Sequence, residues 1–242
     1  RRYPLGMDSK TPYRLVHPRI GAVQDLGIEV EWRYCFVGAG EMATSQHDVV
    51  YLDVGGSIEP GVLDHHEHEG TRSIGSTARI LFDQPHLVHD HLMGRWKERV
   101  HEENFRGRRW SPVIVVHAVP DFDAMVSATL AQRLVEDGGL HPVVGALVDI
   151  ADDIDQGEFE FGRDSGDSIV GILAGLQYAT TSVLDEIDGG RDDDLDERRM
   201  RIGVAIVDAW LHIAVRDSAS ANESGRNRLA LDSNDPELRG LK

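Results

Sequence analysis

The chain has 242 residues, 40% of them hydrophobic, with 42 acidic residues against 25 basic ones and a formal net charge of −17. That length holds one large α/β domain, or one domain with a helical appendage. The charge argues against nonspecific binding of duplex nucleic acid by the bulk surface, and no apolar run approaches the ~20 residues that span a bilayer.

In chain order, residues 1–20 read as an irregular entry, and 27–36 alternate like a strand. Residues 48–54, with the apolar run Val49-Val50-Tyr51-Leu52, read as a buried strand, and the Gly- and His-rich stretch 55–71 reads as a loop. A helix starts at 76–82, and a polar helical stretch covers 86–100. Residues 102–111 form a basic connector, followed by the strand 113–116 and an apolar-faced helix over 123–136. Residues 142–155 turn from apolar to acidic in a further helix. Two amphipathic helices follow at 168–185 and 196–217, around an acidic loop, and the chain is polar and mobile from 218. Strands alternating with helices predict an α/β fold with a mainly parallel sheet flanked by helices and a C-terminal helical segment. The expected organisation is a metal-binding domain over 1–160, a helical segment over 161–217 that completes or caps it, and a tail over 218–242.

The sole cysteine, Cys35, excludes an internal disulfide framework and fits a reducing compartment. The opening Arg1-Arg2-Tyr3-Pro4-Leu5-Gly6 lacks the apolar core of a signal peptide, so a cytoplasmic location is expected. Only Lys10, Lys97 and Lys242 are lysines, and an arginine-rich basic set suits bidentate phosphate contacts.

Two strand ends concentrate chemistry. Asp53-Val54-Gly55-Gly56, followed by Asp64-His65-His66, comes after the first apolar run; His117-Ala118-Val119-Pro120-Asp121-Phe122-Asp123 comes after the second. In open α/β sheets functional groups collect where strands end. Imidazole and carboxylate together suit Mn, Fe or Zn. Pro120 forces a turn, so Asp121 and Asp123 can diverge to two metals. Asp53, ending the neighbouring strand, can bridge both, with Gly55 and Gly56 keeping the backbone clear. His65 supplies an imidazole that Asp64 can orient. Two metals so held can activate water and stabilise the leaving oxygen of a phosphate ester. A second histidine cluster, His86, His89 and His91 beside Asp90, reads as a solvated helix face. Arg106, Arg108 and Arg109 form a basic patch that could meet substrate phosphates or lie solvated in a loop. Trp210, with Ile206, Val207 and Leu211, reads as a core face. Ser76 and Thr77 read as a helix start rather than nucleophiles.

The triplet Asp64-His65-His66 and the run His117-Ala-Val-Pro-Asp121-Phe-Asp123-Ala124-Met-Val-Ser127 resemble the signature motifs of the DHH phosphoesterase superfamily. That superfamily includes RecJ-type exonucleases, nano-RNases, cyclic dinucleotide phosphodiesterases and manganese-dependent pyrophosphatases. Gly75-Ser76-Thr77-Ala78 and Asp155-Gln156-Gly157-Glu158-Phe159 resemble its later segments, and the whole resemblance, over residues 48–160, is nearest one exonuclease branch. The motif order departs from the family, where the His-x-x-x-Asp-x-Asp motif precedes the histidine triplet. A circular permutation would keep the site intact, since proximity and not chain order makes it. The rival is that Leu15-Val16-His17 is a decayed first motif. The glycine-rich substrate domain of many members has no counterpart after residue 160.

The resemblance implies a DHH-type domain holding two Mn²⁺ ions, with Mg²⁺ or another divalent metal as substitute. One ion would be held by His117, Asp121 and Asp53, and the other by Asp123, Asp53, His65 and Asp155. Asp149, Asp152 and Asp153 are the rivals to Asp155. His66 and Asp64 are the expected catalytic residues, with His66 facing the phosphate as donor or general acid. The expected activity is hydrolysis of a phosphodiester or phosphomonoester in a nucleotide, a short single-stranded oligonucleotide or a related small phosphate compound. No membrane partner is expected, and a homodimer is the assembly considered. The competing class is a catalytically inactive or regulatory relative that binds metal or nucleotide.

Overall fold

In a computed structural model, residues 13–14, 23, 27–66, 74–99, 109–158, 169–176 and 193–221 are described. The strands are β1 (Tyr13–Arg14), β2 (Glu29–Val30), β3 (Arg33–Val37), β4 (Val49–Leu52), β5 (Ile58–Glu59), β6 (Val62–Leu63), β7 (Arg109–Trp110), β8 (Val113–His117) and β9 (Gly139–Leu140). The helices are α1 (Thr77–Asp83), α2 (His86–Arg99), α3 (Phe122–Glu136), α4 (Val144–Asp155), α5 (169–176) and α6 (Asp193–Ala221). The main sheet has the order β3-β8-β4-β6-β5. Its first four strands run parallel, and only β5 is antiparallel to its neighbour. The α/β class and the mainly parallel sheet are therefore as expected.

Period-two alternation sets the two sheet faces. Val50 and Leu52 of β4, Ile114 and Val116 of β8, and Phe36 of β3 form one buried face. They join the core with Ala128, Leu130, Ala131 and Leu134 of α3 and Ala78 and Leu81 of α1. Val49 and Tyr51, on the opposite face of β4, are only half-buried, so β4 is buried on one face rather than two. The long helix α6 packs on α3 and β3 through Met200, Val204, Val207 and Trp210, all buried; the apolar stripe around Trp210 is core.

Five expectations need correction. The entry read as irregular over 1–20 holds β1, which pairs antiparallel with β9. The strand read over 27–36 is two strands: β2 pairs with β7 and β3 with β8. The loop read over 55–71 contains the β5–β6 hairpin, turned at Pro60-Gly61 with Gly61 at φ +85°. The Pro60-Gly61 pair itself was the available turn signal. The basic connector read over 102–111 ends in β7, at Arg109–Trp110. Helix α6 begins before 196 and runs to Ala221, beyond the expected start of the tail. Most of the acidic loop, and the tail from 222, lie outside the described residues.

Candidate metal centre

Three adjacent parallel strands end at one place. His117 is the last residue of β8, Asp53 follows β4, and Asp64-His65 follow β6. Val50 stands opposite Ile114, and Leu52 opposite Leu63, so register alone brings the three ends level. β8 lies beside β4 in the sheet, as expected.

The backbone then turns sharply. Asp53 adopts φ +63°, and Gly55 follows at φ +115°. A Cβ on Gly55 would lie 2.5 Å from Val62 Cγ1, so only glycine lets the chain pass beneath the hairpin. After β8, Val119 takes φ +60° before Pro120. A β-branched residue rarely adopts that conformation, and the turn places Asp121 as N-cap of α3. Its Oδ1 accepts from the Ala124 N–H at 3.0 Å, leaving Oδ2 3.7 Å from His117 Nε2.

Asp53 sits at the centre and is 3% exposed. Its Oδ1 lies 3.2 Å from His65 Nε2, and its Oδ2 lies 3.2 Å from His117 Nε2. His65 Nε2 is also 3.6 Å from Asp155 Oδ1, at the end of α4. Asp123, buried in the first turn of α3, accepts from the Thr77 N–H at 2.8 Å and the Ala78 N–H at 3.0 Å. Among the described residues, the groups within ligand range of one another are Asp53 with His117 and Asp121, Asp53 with His65 and His66, and His65 with Asp123 and Asp155. All six residues expected as ligands are thus gathered.

The electrostatics show a shortage of positive charge. Burial disfavours the charged ring of His117, yet the Asp121 and Asp53 carboxylates outweigh it and raise its pKa to about 11. Burial also opposes charge on His65, but Asp53 and then Asp155 raise it to about 9. Burial pushes Asp53 up, while His117 and His65 outweigh that and hold it well below the usual carboxylate range. Asp123 stays well above that range, first through burial and then through the charges of Asp53 and Asp121. The Nε2 atoms of His65 and His117 are buried and, although each lies 3.2 Å from Asp53, make no well-formed hydrogen bond among the described residues, a rare condition for buried polar atoms. His117 Nδ1 donates to the Ala118 carbonyl at 2.9 Å, which fixes the proton there and leaves Nε2 as a ligand atom. A divalent cation held by these nitrogen and oxygen donors would satisfy each of these conditions.

The rivals to Asp155 have other partners. Asp149 pairs with Arg79. Asp152 accepts from the Ser76 N–H at 2.7 Å, and its Oδ2 is 3.7 Å from Arg79 Nε. Asp153 is exposed and belongs to no metal-sized group among the described residues. Ser76 caps α1 by accepting from the Arg79 N–H at 3.3 Å, as expected of a helix start. The two α1 amides on Asp123 were missed; the Gly75-Ser76-Thr77 cap was their only signal.

Two expected roles change. Asp64 does not orient His65; its Oδ1 is 2.9 Å from His66 Nδ1, and its Oδ2 accepts from the Gly56 N–H at 2.8 Å. Arg109 sits in β7, before the start of β8, so it lies beyond the sheet end opposite His117. There it pairs with Glu29 at 3.5 Å and Glu31 at 4.0 Å, away from the cluster. Arg106 and Arg108 lie outside the described residues. The helix face carrying His86, His89 and His91 is not solvated as expected: His89 is fully buried, His91 Nε2 is 2.9 Å from the carbonyls of both Gln46 and Val49, and no metal-sized group among the described residues includes any of the three. No helix among the described residues is long and apolar enough to cross a membrane. No family model, curated protein or solved structure matches the chain.

Proposed function

We propose that the chain is a DHH-type, metal-dependent phosphoesterase acting on a nucleotide, a short single-stranded oligonucleotide or a related small phosphate compound. The observation that carries this reading is the Asp53 carboxylate, which offers one oxygen to His65 and the other to His117 at 3.2 Å each. Asp53 would then serve both sets of ligands. His117 and Asp121 would complete one set, and His65, Asp123 and Asp155 the other. Two divalent ions there, Mn²⁺ first and Mg²⁺ as substitute, would supply activation of water and neutralisation of charge on a phosphate ester.

The chain's own residues do the rest. The Ala118 carbonyl and the α1 amides orient His117 and Asp123, so that ligand atoms are held in place before any substrate arrives. His66, with its side chain 54% exposed, is the imidazole at the cluster that solvent and substrate can reach. The hydroxyls of Thr77 and Ser127 lean on Asp53 and Asp123 at 3.4 and 3.5 Å. Neither is paired with a histidine base, so direct attack by water, without a covalent intermediate, fits the residues present. The free, exposed thiol of Cys35 suits a reducing, cytoplasmic setting.

The test is Mn²⁺-dependent release of p-nitrophenol from bis-p-nitrophenyl phosphate, followed by a panel of mononucleotides, cyclic dinucleotides, short RNA and pyrophosphate. Turnover should vanish on chelation and in Asp53→Asn. A protein that binds Mn²⁺ but turns over none of these would be the regulatory, metal- or nucleotide-binding relative instead.

A further inference from the structure

We infer that Asp64 is a positioning residue for His66, which it keeps off the metal centre and turns toward the substrate; this rests on the phosphoesterase reading. By distance alone His66 is a candidate ligand, because it groups with Asp53 and His65. Its Nδ1, however, is 2.9 Å from Asp64 Oδ1 and 3.4 Å from Asp53 Oδ1. The same Asp64 oxygen accepts the His66 backbone N–H at 3.0 Å. The other oxygen is held by the Gly56 N–H at 2.8 Å.

Asp64 is 1% exposed, so these donors rather than water fix its carboxylate. A carboxylate so held is an acceptor only, and it requires a proton on His66 Nδ1. A ring nitrogen that carries a proton cannot ligate a metal. The tilted packing of the His66 ring on His65, with centroids 4.2 Å apart, sets the ring plane as well. Nε2, on the opposite edge of a half-exposed ring, is then the nitrogen left to face the substrate, as an acceptor while the ring is neutral. The two adjacent histidines thus divide their work, and Asp64 makes the division: His65 turns to the ions and His66 to the substrate.

The experiment compares Asp64→Asn, His66→Ala and the double variant in the full chain loaded with Mn²⁺. Asn can satisfy the Gly56 N–H only by presenting its own N–H groups toward His66, which reverses the ring's proton. Asp64→Asn should keep its bound metal and lose turnover on the order of 10- to 100-fold, the usual effect of removing a group that orients a metal-site histidine. The double variant should be no slower than His66→Ala, because Asp64 acts only through His66. Loss of metal in Asp64→Asn, or losses that multiply in the double variant, would overturn the inference.

A second measurement needs neither turnover nor the variant. Long-range ¹H–¹⁵N spectra of the metal-free wild-type chain, at a pH where the ring is neutral, should place the His66 proton on Nδ1. A proton on Nε2 would refute the inference even if the phosphoesterase reading holds. Absence of turnover with the proton on Nδ1 would refute only that reading.

Discussion

Loading the metal-free protein with Mn²⁺ should expel protons, and their number follows from the geometry. His117 and His65 stand at about 11 and about 9, so both rings are protonated near neutral pH. A histidine must be neutral to bind a metal. Each ring therefore sheds one proton on loading, and Asp123, held well above the usual carboxylate range, adds to the release. Two histidine protons make the apparent affinity for the pair of ions rise ~100-fold for each pH unit, about 2.7 kcal/mol, as long as both rings start protonated. Calorimetric titration in two buffers of different ionisation enthalpy counts the protons directly. The wild type should release at least two per pair of ions. Asp53→Asn removes the carboxylate that holds up both rings, so it should release fewer. A release near zero in the wild type, or an equal release in the two proteins, would refute this account of the cluster.

Three further outcomes are expected. Without metal, stability should fall as pH rises: each ring has a folded pKa above the unfolded 6.5, so its contribution is complete below 6.5 and is lost through about 9 for His65 and about 11 for His117. Melting temperatures between neutral pH and those values should drop for the metal-free protein and stay flatter for the loaded one; a rise in the metal-free protein would contradict the assignment. Asp155→Asn should lower bound metal in elemental analysis, while Asp149→Asn, which removes only a pairing with Arg79, should leave it unchanged. Gly55→Ala combines a positive φ of +115° with a contact at 2.5 Å to Val62. Strain and overpacking together should cost ~2–5 kcal/mol in denaturant unfolding, and a loss within a few tenths would show that the hairpin yields.

Much of the site was legible because its residues are local to strand and helix ends. Val113–His117 is apolar until His117, Pro120 stops the strand, and Asp121 caps a helix whose apolar spacing is plain. Ser76 announced α1 by its capping chemistry. The hairpin after Asp53 was lost among glycines and histidines, since two-residue strands carry too few side chains to show a period.

The residue types at the strand ends, and their spacing, were thus set by the sequence itself: carboxylates and imidazoles where backbone pairing stops, in an α/β chain. Which of them meet was decided by tertiary structure. Asp155 rather than Asp149 or Asp152 reaches His65 because Arg79 and the Ser76 amide, 70 and 76 positions away in the chain from the carboxylates they hold, occupy the other two. Asp64 serves His66 and not its nearer neighbour His65 because the turn at Gly56 aims the carboxylate that way. Arg109 faces Glu29 because a parallel sheet puts the start of β8 at the end away from the site. Local spacing governs what a segment can form. Pairing register and long-range partners determine where its side chains arrive, because the interactions that hold them are made only when distant segments pack.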